Sequence, residues 1–351
     1  MDEFAAIGRL LVCALEGPDL LRHEEGALRE LAPAGVILFA RNLRSPAQVR
    51  DLVAGIRECC PAPAFVSIDQ EGGTVNRLAS LDDVFLRLPP ARVQAAWPAA
   101  RLRATWRAVG EALRALGIGV AWTPVVDLDD GDGANAIGPR SFGTDPALVA
   151  GRAREVLAGL AEAGVAGCAK HFPGLGGTSL DTHRALAESP LTAEELWERH
   201  ARPWRELRDE TPLVMTAHAW YPAVDPGEPL PGTFSARLLR DWLRERIGYG
   251  GLVVTDDLGM GAVADRGTPG ELAEAALRAG ADLALFCRDV DAPRRARDHL
   301  ATRLAAGDLP PADVRGSLAR LEEFLARPGL IEGPRPLAAW EIARATFRET
   351  C

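Results

Sequence analysis

The chain is 351 residues long, 47% hydrophobic and 25% charged, with 35 Gly and 26 Pro, an ordinary globular balance that excludes a disordered, collagenous or mini-protein reading. Forty basic residues face forty-nine acidic ones for a net charge of −9, which repels a phosphate backbone and argues against a nucleic-acid partner. Of the forty basic residues all but one are Arg, and the exception is Lys170.

At the N-terminus, MDEFAAIGRLLVCALEGP has acids where a signal peptide has a basic region and lacks a small-residue cleavage site, so none is expected. No run approaches the roughly 18 apolar residues of a membrane span. The six cysteines (13, 59, 60, 168, 287, 351) include no C-x-x-C, which suits a cytoplasmic chain with reduced thiols and gives no zinc or redox pattern.

Hydrophobic periodicity then predicts an alternation. A strand at 8–14 precedes a helix at 22–31, and a strand at 35–39 precedes a helix at 46–58 opened by Ser45-Pro46. Strands at 64–69, 119–127 and 164–170 precede helices at 98–116, 146–163 and 192–208, the last capped by Thr192. Strands at 213–218, 250–256 and 281–287 precede helices at 235–246, 269–279 and 291–305, and two helices at 311–327 and 337–348 follow. Eight β-then-α units with near-continuously apolar strands predict an α/β fold, a (β/α)8 TIM-type barrel. The expected organisation is one domain over 1–351, with a core at about 5–305 and a short helical tail at about 311–348. A doubly wound open sheet is the rival, because periodicity does not show closure.

Active sites of such barrels lie at the C-terminal strand ends. Asp69 ends the third predicted strand, Asp127 the fourth, Lys170-His171 the fifth, His218 the sixth and Asp256-Asp257 the seventh. For Asp127 and Asp257, capping of a following helix is at least as good a reading as catalysis. After Lys170-His171 comes a glycine-rich loop (Gly174, Gly176, Gly177) and then Asp181 and His183. A carboxylate two residues from an imidazole can fix its tautomer and favour its protonated form, which suits an acid near neutral pH. Asp256, leaving a buried strand, can attack a sugar carbon while a partner across the site protonates the leaving oxygen.

Six segments together resemble glycoside hydrolase family 3, in particular its single-domain bacterial β-N-acetylglucosaminidases (β-hexosaminidases) of cell-wall recycling. They are Gly35-Val36-Ile37-Leu38-Phe39-Ala40-Arg41-Asn42, Ile68-Asp69-Gln70-Glu71-Gly72-Gly73, Arg140-Ser141-Phe142-Gly143, Lys170-His171-Phe172-Pro173-Gly174, Asp181-Thr182-His183 and Thr255-Asp256-Asp257-Leu258-Gly259-Met260. The resemblance implies a retaining exo-hydrolase with Asp256 as nucleophile and His183, backed by Asp181, as acid/base. It implies that Asp69, Arg77, Arg140, Lys170 and His171 grip the terminal GlcNAc. It also implies a muropeptide substrate, with 1,6-anhydro-N-acetylmuramic acid as the aglycone. Lys170 fits this independently: a planar guanidinium does not copy a three-donor ammonium at a tight site. Departures from the family pattern are Leu175 where His is usual, Thr74 where Arg is usual and Pro139 where an acid is usual, with Thr182 and Thr255 in place of Ser. Leu175 matters most, because it removes a polar group from the loop.

Other readings are a phosphorylase or another β-glycosidase of the same family, a Schiff-base lyase using Lys170, and a non-catalytic sugar-binding barrel. His218 either lines the site or serves as a structural hydrogen-bonder, and Trp220 and Tyr221 either stack on a sugar or pack their loop. Trp122 is expected inside the barrel, while His23, His200 and His299 read as surface residues. No P-loop, dinucleotide fingerprint or metal-ligand spacing occurs, so no cofactor or metal is expected. The expected partner is a small carbohydrate, with no nucleic acid and no membrane; the sequence leaves oligomeric state open.

Overall fold

The computed structural model describes residues 6–130, 137–178 and 186–351. Eight short apolar runs form strands β1 (Leu11–Ala14), β2 (Gly35–Leu38), β3 (Phe65–Ile68), β4 (Val120–Ala121), β5 (Ala166–Phe172), β6 (Leu213–Thr216), β7 (Leu252–Val254) and β8 (Ala284–Leu285). Neighbours pair in parallel in the order β8-β1-β2-β3-β4-β5-β6-β7. The two outer strands meet through a parallel bridge between Val254 and Leu283, with the Thr255 N–H donating to the Leu283 carbonyl at 3.0 Å. The sheet therefore curls into a barrel, which decides against the open doubly wound alternative.

Side chains alternate across each strand. Val12 and Ala14 point into the barrel with Ile37, Phe65, Val120, Trp122, Cys168, Met215 and Val254. Cys13, Val36, Val66 and Val214 point outward, to the helices. Burial on both faces explains the unbroken apolar runs.

The helices are α1 (Arg22–Leu31), α2 (Pro46–Cys59), α3 (Ala99–Ala115) and α4 (Pro146–Glu162). Next comes α5, which runs Ala193–Glu195, a π-helical turn Leu196–His200 and Arg202–Leu207. They continue as α6 (Arg237–Arg246, π-helical), α7 (Pro269–Ala279), α8 (Asp291–Ala305), α9 (Pro311–Leu325) and α10 (Leu337–Thr350). The side chains of Ser45, Thr192 and Ser235 each accept a backbone N–H of the helix they open, satisfying donors that have no partner within the helix.

Helix α9 closes the N-terminal end of the barrel. Phe324 meets Phe65 edge-on at 5.9 Å, and Phe65 meets Trp122 at 6.2 Å, a favoured quadrupole geometry. Trp122 is fully buried there, as expected. Helix α10 packs on α3, with Trp340 and Phe347 against Phe85. With the bottom plugged, a cavity opens at the C-terminal strand ends.

Two local features differ from expectation. The fourth predicted strand shrinks to Val120–Ala121, because Pro124 offers no N–H to the ladder, although a bridge between Val125 and Lys170 keeps the segment beside β5. After β3 the chain makes a small hairpin, Gln70–Gly72 against Val75–Asn76, too short and polar for a period-2 signal. Gly72 sits at φ +97°, and a Cβ there would fall 2.4 Å from the Pro89 carbonyl oxygen, so the turn needs glycine.

Candidate active site

Four strand ends deliver the site. Asp69 follows β3, and Glu71 follows it in the hairpin, where the Gln70 side chain ties the two arms by bonding Asn76 (2.8 Å) and the Leu78 N–H (3.0 Å). Arg140 comes from the turn Gly138–Arg140 beyond β4, Lys170 and His171 lie on β5 itself, and Asp256 follows β7. One cavity is lined by Asp69, Glu71, Arg77, Arg140, Lys170, His171 and Asp256, with Ile37, Ile137, Leu175, Met215 and Cys287 among its apolar walls.

Glu71 is the centre of a buried ion cluster. Its carboxylate takes the Arg140 guanidinium bidentately, both contacts 2.8 Å, and lies 2.7 Å from Lys170 Nζ. Lys170 also donates to Asp69 Oδ1 at 2.8 Å. Burial alone would raise the Glu71 carboxyl, but Lys170 and Arg140 outweigh it and hold the group well below the usual carboxylate range. Burial likewise disfavours the Lys170 ammonium, and Asp69 and Glu71 more than offset it, keeping the group charged above its ordinary range.

Beside this cluster a second set of contacts aims His171 at Asp256. Asp127, fully buried, accepts from the His171 N–H (3.2 Å), from His171 Nδ1 (2.8 Å) and from the Leu175 N–H (2.8 Å). An ionised carboxylate only accepts, so Nδ1 carries the proton. His171 Nε2 then faces Asp256 Oδ2 at 3.9 Å. Burial pushes the Asp256 carboxyl up, but the imidazoles of His171 and His218 and the Asp257 N–H, which donates to Asp256 Oδ1 at 2.8 Å, bring it below its usual value. Asp256 is thus an ionised carboxylate, with 18% of its side chain exposed, and it is competent to attack an electrophilic carbon.

His218 supports the same strand end from behind. Its Nε2 lies 3.0 Å from the Asp257 carbonyl and its Nδ1 2.7 Å from Thr233 Oγ1. The carbonyl fixes the proton on Nε2, and burial disfavours the charged ring. It is therefore a structural hydrogen-bonder. Tyr221 is buried with its hydroxyl on the Gly174 carbonyl, and Trp220 Nε1 donates to the Asp225 carbonyl, so both pack their loop. Asp257 accepts the Gly259 and Cys287 N–H groups, a local turn role.

Six of the eight residues singled out from the sequence (Asp69, Arg77, Arg140, Lys170, His171 and Asp256) share this cavity. Asp181 and His183 lie outside the described residues. Arg77 Nε is buried without a hydrogen-bond partner among the described residues. Asp127, a strand-end acid read as either a helix cap or catalytic, instead holds His171 and the Leu175 N–H, while Glu71 was not singled out, because its partners lie far away in sequence and spacing carries no signal for it. Leu175 is buried in the cavity wall.

His200 corrects the surface reading. Its side chain is fully buried, with Nε2 3.7 Å from Asp130 Oδ1, because Gly174 and Gly176 have no side chains and leave room for the ring. Glu16, His23 and Glu24 bring possible ligand atoms within 4.8 Å. Glu24, however, already accepts the Glu16 and Leu21 N–H groups, which makes the group a cap on α1. No described helix is long and apolar enough to cross a membrane.

The model of the glycosyl hydrolase family 3 N-terminal domain matches residues 8–324. A beta-hexosaminidase of Nitrosomonas eutropha is 35% identical over 329 residues, covering 90% of this chain and 92% of the relative. One from Alkalilimnicola ehrlichii is 38% identical over 299 residues, 83% of this chain and 84% of its own. Among solved structures, a glycoside hydrolase family 3 beta-N-acetylglucosaminidase from a Paenibacillus species superposes with a TM-score of 0.89 at 32% identity, over 99% of this chain and 68% of that one.

Proposed function

The chain belongs to glycosyl hydrolase family 3 and is a glycoside hydrolase, and from that premise we propose that it is a retaining exo-β-N-acetylglucosaminidase releasing terminal β-GlcNAc from peptidoglycan-derived muropeptides. The similarity to beta-hexosaminidases over most of the chain supports the choice of sugar. The observation that carries the reading is Asp256, an ionised carboxylate held by the Asp257 N–H in a cavity that also presents Asp69, Arg140 and Lys170.

In the first step Asp256 Oδ2 attacks the anomeric carbon, the bond to the aglycone oxygen breaks, and that oxygen takes a proton as it leaves. In the second step water attacks the anomeric carbon of the glycosyl ester, gives up its proton, and the Asp256 carboxylate is restored. His183, backed by Asp181, is the proposed proton donor and acceptor. Asp69 accepts from sugar hydroxyls while Arg77, Arg140 and Lys170 donate to them, and His171, its Nδ1 proton held by Asp127, grips the sugar through Nε2 as an acceptor.

The test is aryl alcohol release from aryl β-GlcNAc by wild type and Asp256→Ala, with aryl glucoside and xyloside as comparisons and with phosphate present or absent. GlcNAc release by wild type alone is expected. A wild type that binds GlcNAc yet is no faster than the variant is a sugar-binding barrel, and GlcNAc-1-phosphate as the main product replaces hydrolysis by phosphorolysis.

A further inference from the structure

Glu71 is the one ionised group of the cavity whose two oxygens are both occupied by protein cations, so it has little left to offer a ligand. The geometry points to Glu71 as a positioning residue, whose buried carboxylate clamps Arg140 and Lys170 so that only their remaining N–H donors face the sugar. The inference rests on reading the cavity as a sugar site.

Donor arithmetic shows what the clamp does. A guanidinium has five N–H donors and an ammonium three. Glu71 Oε2 takes Arg140 Nε, and Oε1 takes one hydrogen of Arg140 Nη2 together with one of Lys170 Nζ. Asp69 Oδ1 takes a second Lys170 donor. Among the described residues, Lys170 is left with a single N–H, and Arg140 with its Nη1 edge and one Nη2 hydrogen. Fixed donors of this kind bind a hydroxylated ring without ordering cost at the moment of binding. Without the counter-charge, two cations in one poorly solvated pocket repel each other, and their side chains spread over several rotamers. The hairpin makes the clamp rigid, since the Glu71 carbonyl accepts from Gln94 Nε2 at 3.2 Å and Gly72 follows in a turn closed to other residues.

The test measures GlcNAc affinity by calorimetry and aryl β-GlcNAc kinetics for wild type, Glu71→Gln, Lys170→Met and the double variant. Glu71→Gln is expected to weaken GlcNAc binding and raise KM at least about tenfold while kcat changes less than about threefold, the pattern of lost ground-state positioning. In the Lys170→Met background the same change should cost only about threefold, through Arg140 alone. The alkaline loss of GlcNAc affinity should also begin at lower pH in Glu71→Gln, because Lys170 loses a counter-charge. Lys170 there keeps Asp69 in contact, with Asp256 and Cys168 near, and faces an unpaired Arg140. A merely structural Glu71 would lower thermal stability and leave KM and the pH profile in place, and that outcome overturns the proposal, as does an equal factor in both backgrounds. If Glu71→Gln does not fold, the double variant against Lys170→Met decides, and equal affinities overturn it. A wild type that binds GlcNAc but cleaves nothing defeats the enzyme reading alone, because the affinities still judge Glu71; a wild type that does not bind GlcNAc defeats both.

Discussion

Asp127 holds His171 by two different atoms, accepting from its backbone N–H and from its ring Nδ1 at 2.8 Å. The same carboxylate takes the Leu175 N–H, so the imidazole facing Asp256 and the start of the glycine-rich loop share one anchor. Asp127→Asn keeps the shape but presents an amide with donors of its own to a set of donors. It should lower kcat/KM on the order of 100-fold. It should also cost roughly 1.5–3 kcal/mol for each charge-assisted bond weakened. Steady-state kinetics and denaturant unfolding check the two separately, and unchanged kinetics would remove Asp127 from the working site.

Asp256→Asn should abolish turnover, with a loss on the order of 10⁴-fold or more. The folded state should be modestly less stable at neutral pH, because the depressed carboxyl contributes stability in its ionised form. Thermal melts beside the aryl β-GlcNAc assay test this, and a variant that loses stability but keeps its activity would mark Asp256 as a structural ion.

The depressed Asp256 carboxyl has a signed consequence. A folded value below the unfolded one means the ionised form persists as pH falls through the ordinary carboxylate range, about 4 for Asp. Glycosylation by a substrate whose leaving group needs no proton should therefore stay flat from about pH 7 to about pH 5. The corresponding contribution to stability is present above the ordinary range and is lost only as pH drops through the folded value. A midpoint of 5–6 in the pre-steady-state burst would contradict the structure.

Gly176→Ala places a Cβ 2.6 Å from His200 Cε1 and 2.7 Å from the Leu128 carbonyl oxygen. The imidazole can yield but the backbone cannot. Activity should fall at least about tenfold, since a shift of about 1 Å in a positioning loop has effects of that size or more. His200→Ala added to it should not restore the rate. Full rescue would show that the ring alone sets the loop's position.

Phe324→Ala, at the opposite end of the barrel, should cost about 3–5 kcal/mol of stability by opening a cavity against Phe65. KM should stay as in wild type, because the plug does not line the active-site cavity.

The barrel was legible because strands buried on both faces read as unbroken apolar runs, as in Gly35–Leu38 and Leu252–Val254, and because caps such as Ser45 and Thr192 punctuate the helices. Closure was not, since it rests on hydrogen bonds between Val253–Thr255 and Leu283, which no local pattern encodes. Within the site, Asp69, Lys170, His171 and Asp256 stood out as reactive side chains at strand ends. Glu71 did not, because it became a clamp only when Arg140 and Lys170 folded onto it from 69 and 99 positions away. His200 misled for the opposite reason: a helical position reads as exposed until the neighbouring loop supplies glycines to receive it.

The solitary lysine gives the chain an unusual chemical address. A protease specific for lysine has a single bond to cut in 351 residues, Lys170–His171, and that bond lies buried in β5. Cleavage into two fragments of nearly equal length would then count molecules whose barrel has opened at β5, with no label attached. Amine-directed reagents have the same narrow choice between the amino terminus and the cavity that holds Lys170, so protection of the second by a bound sugar is readable from intact mass.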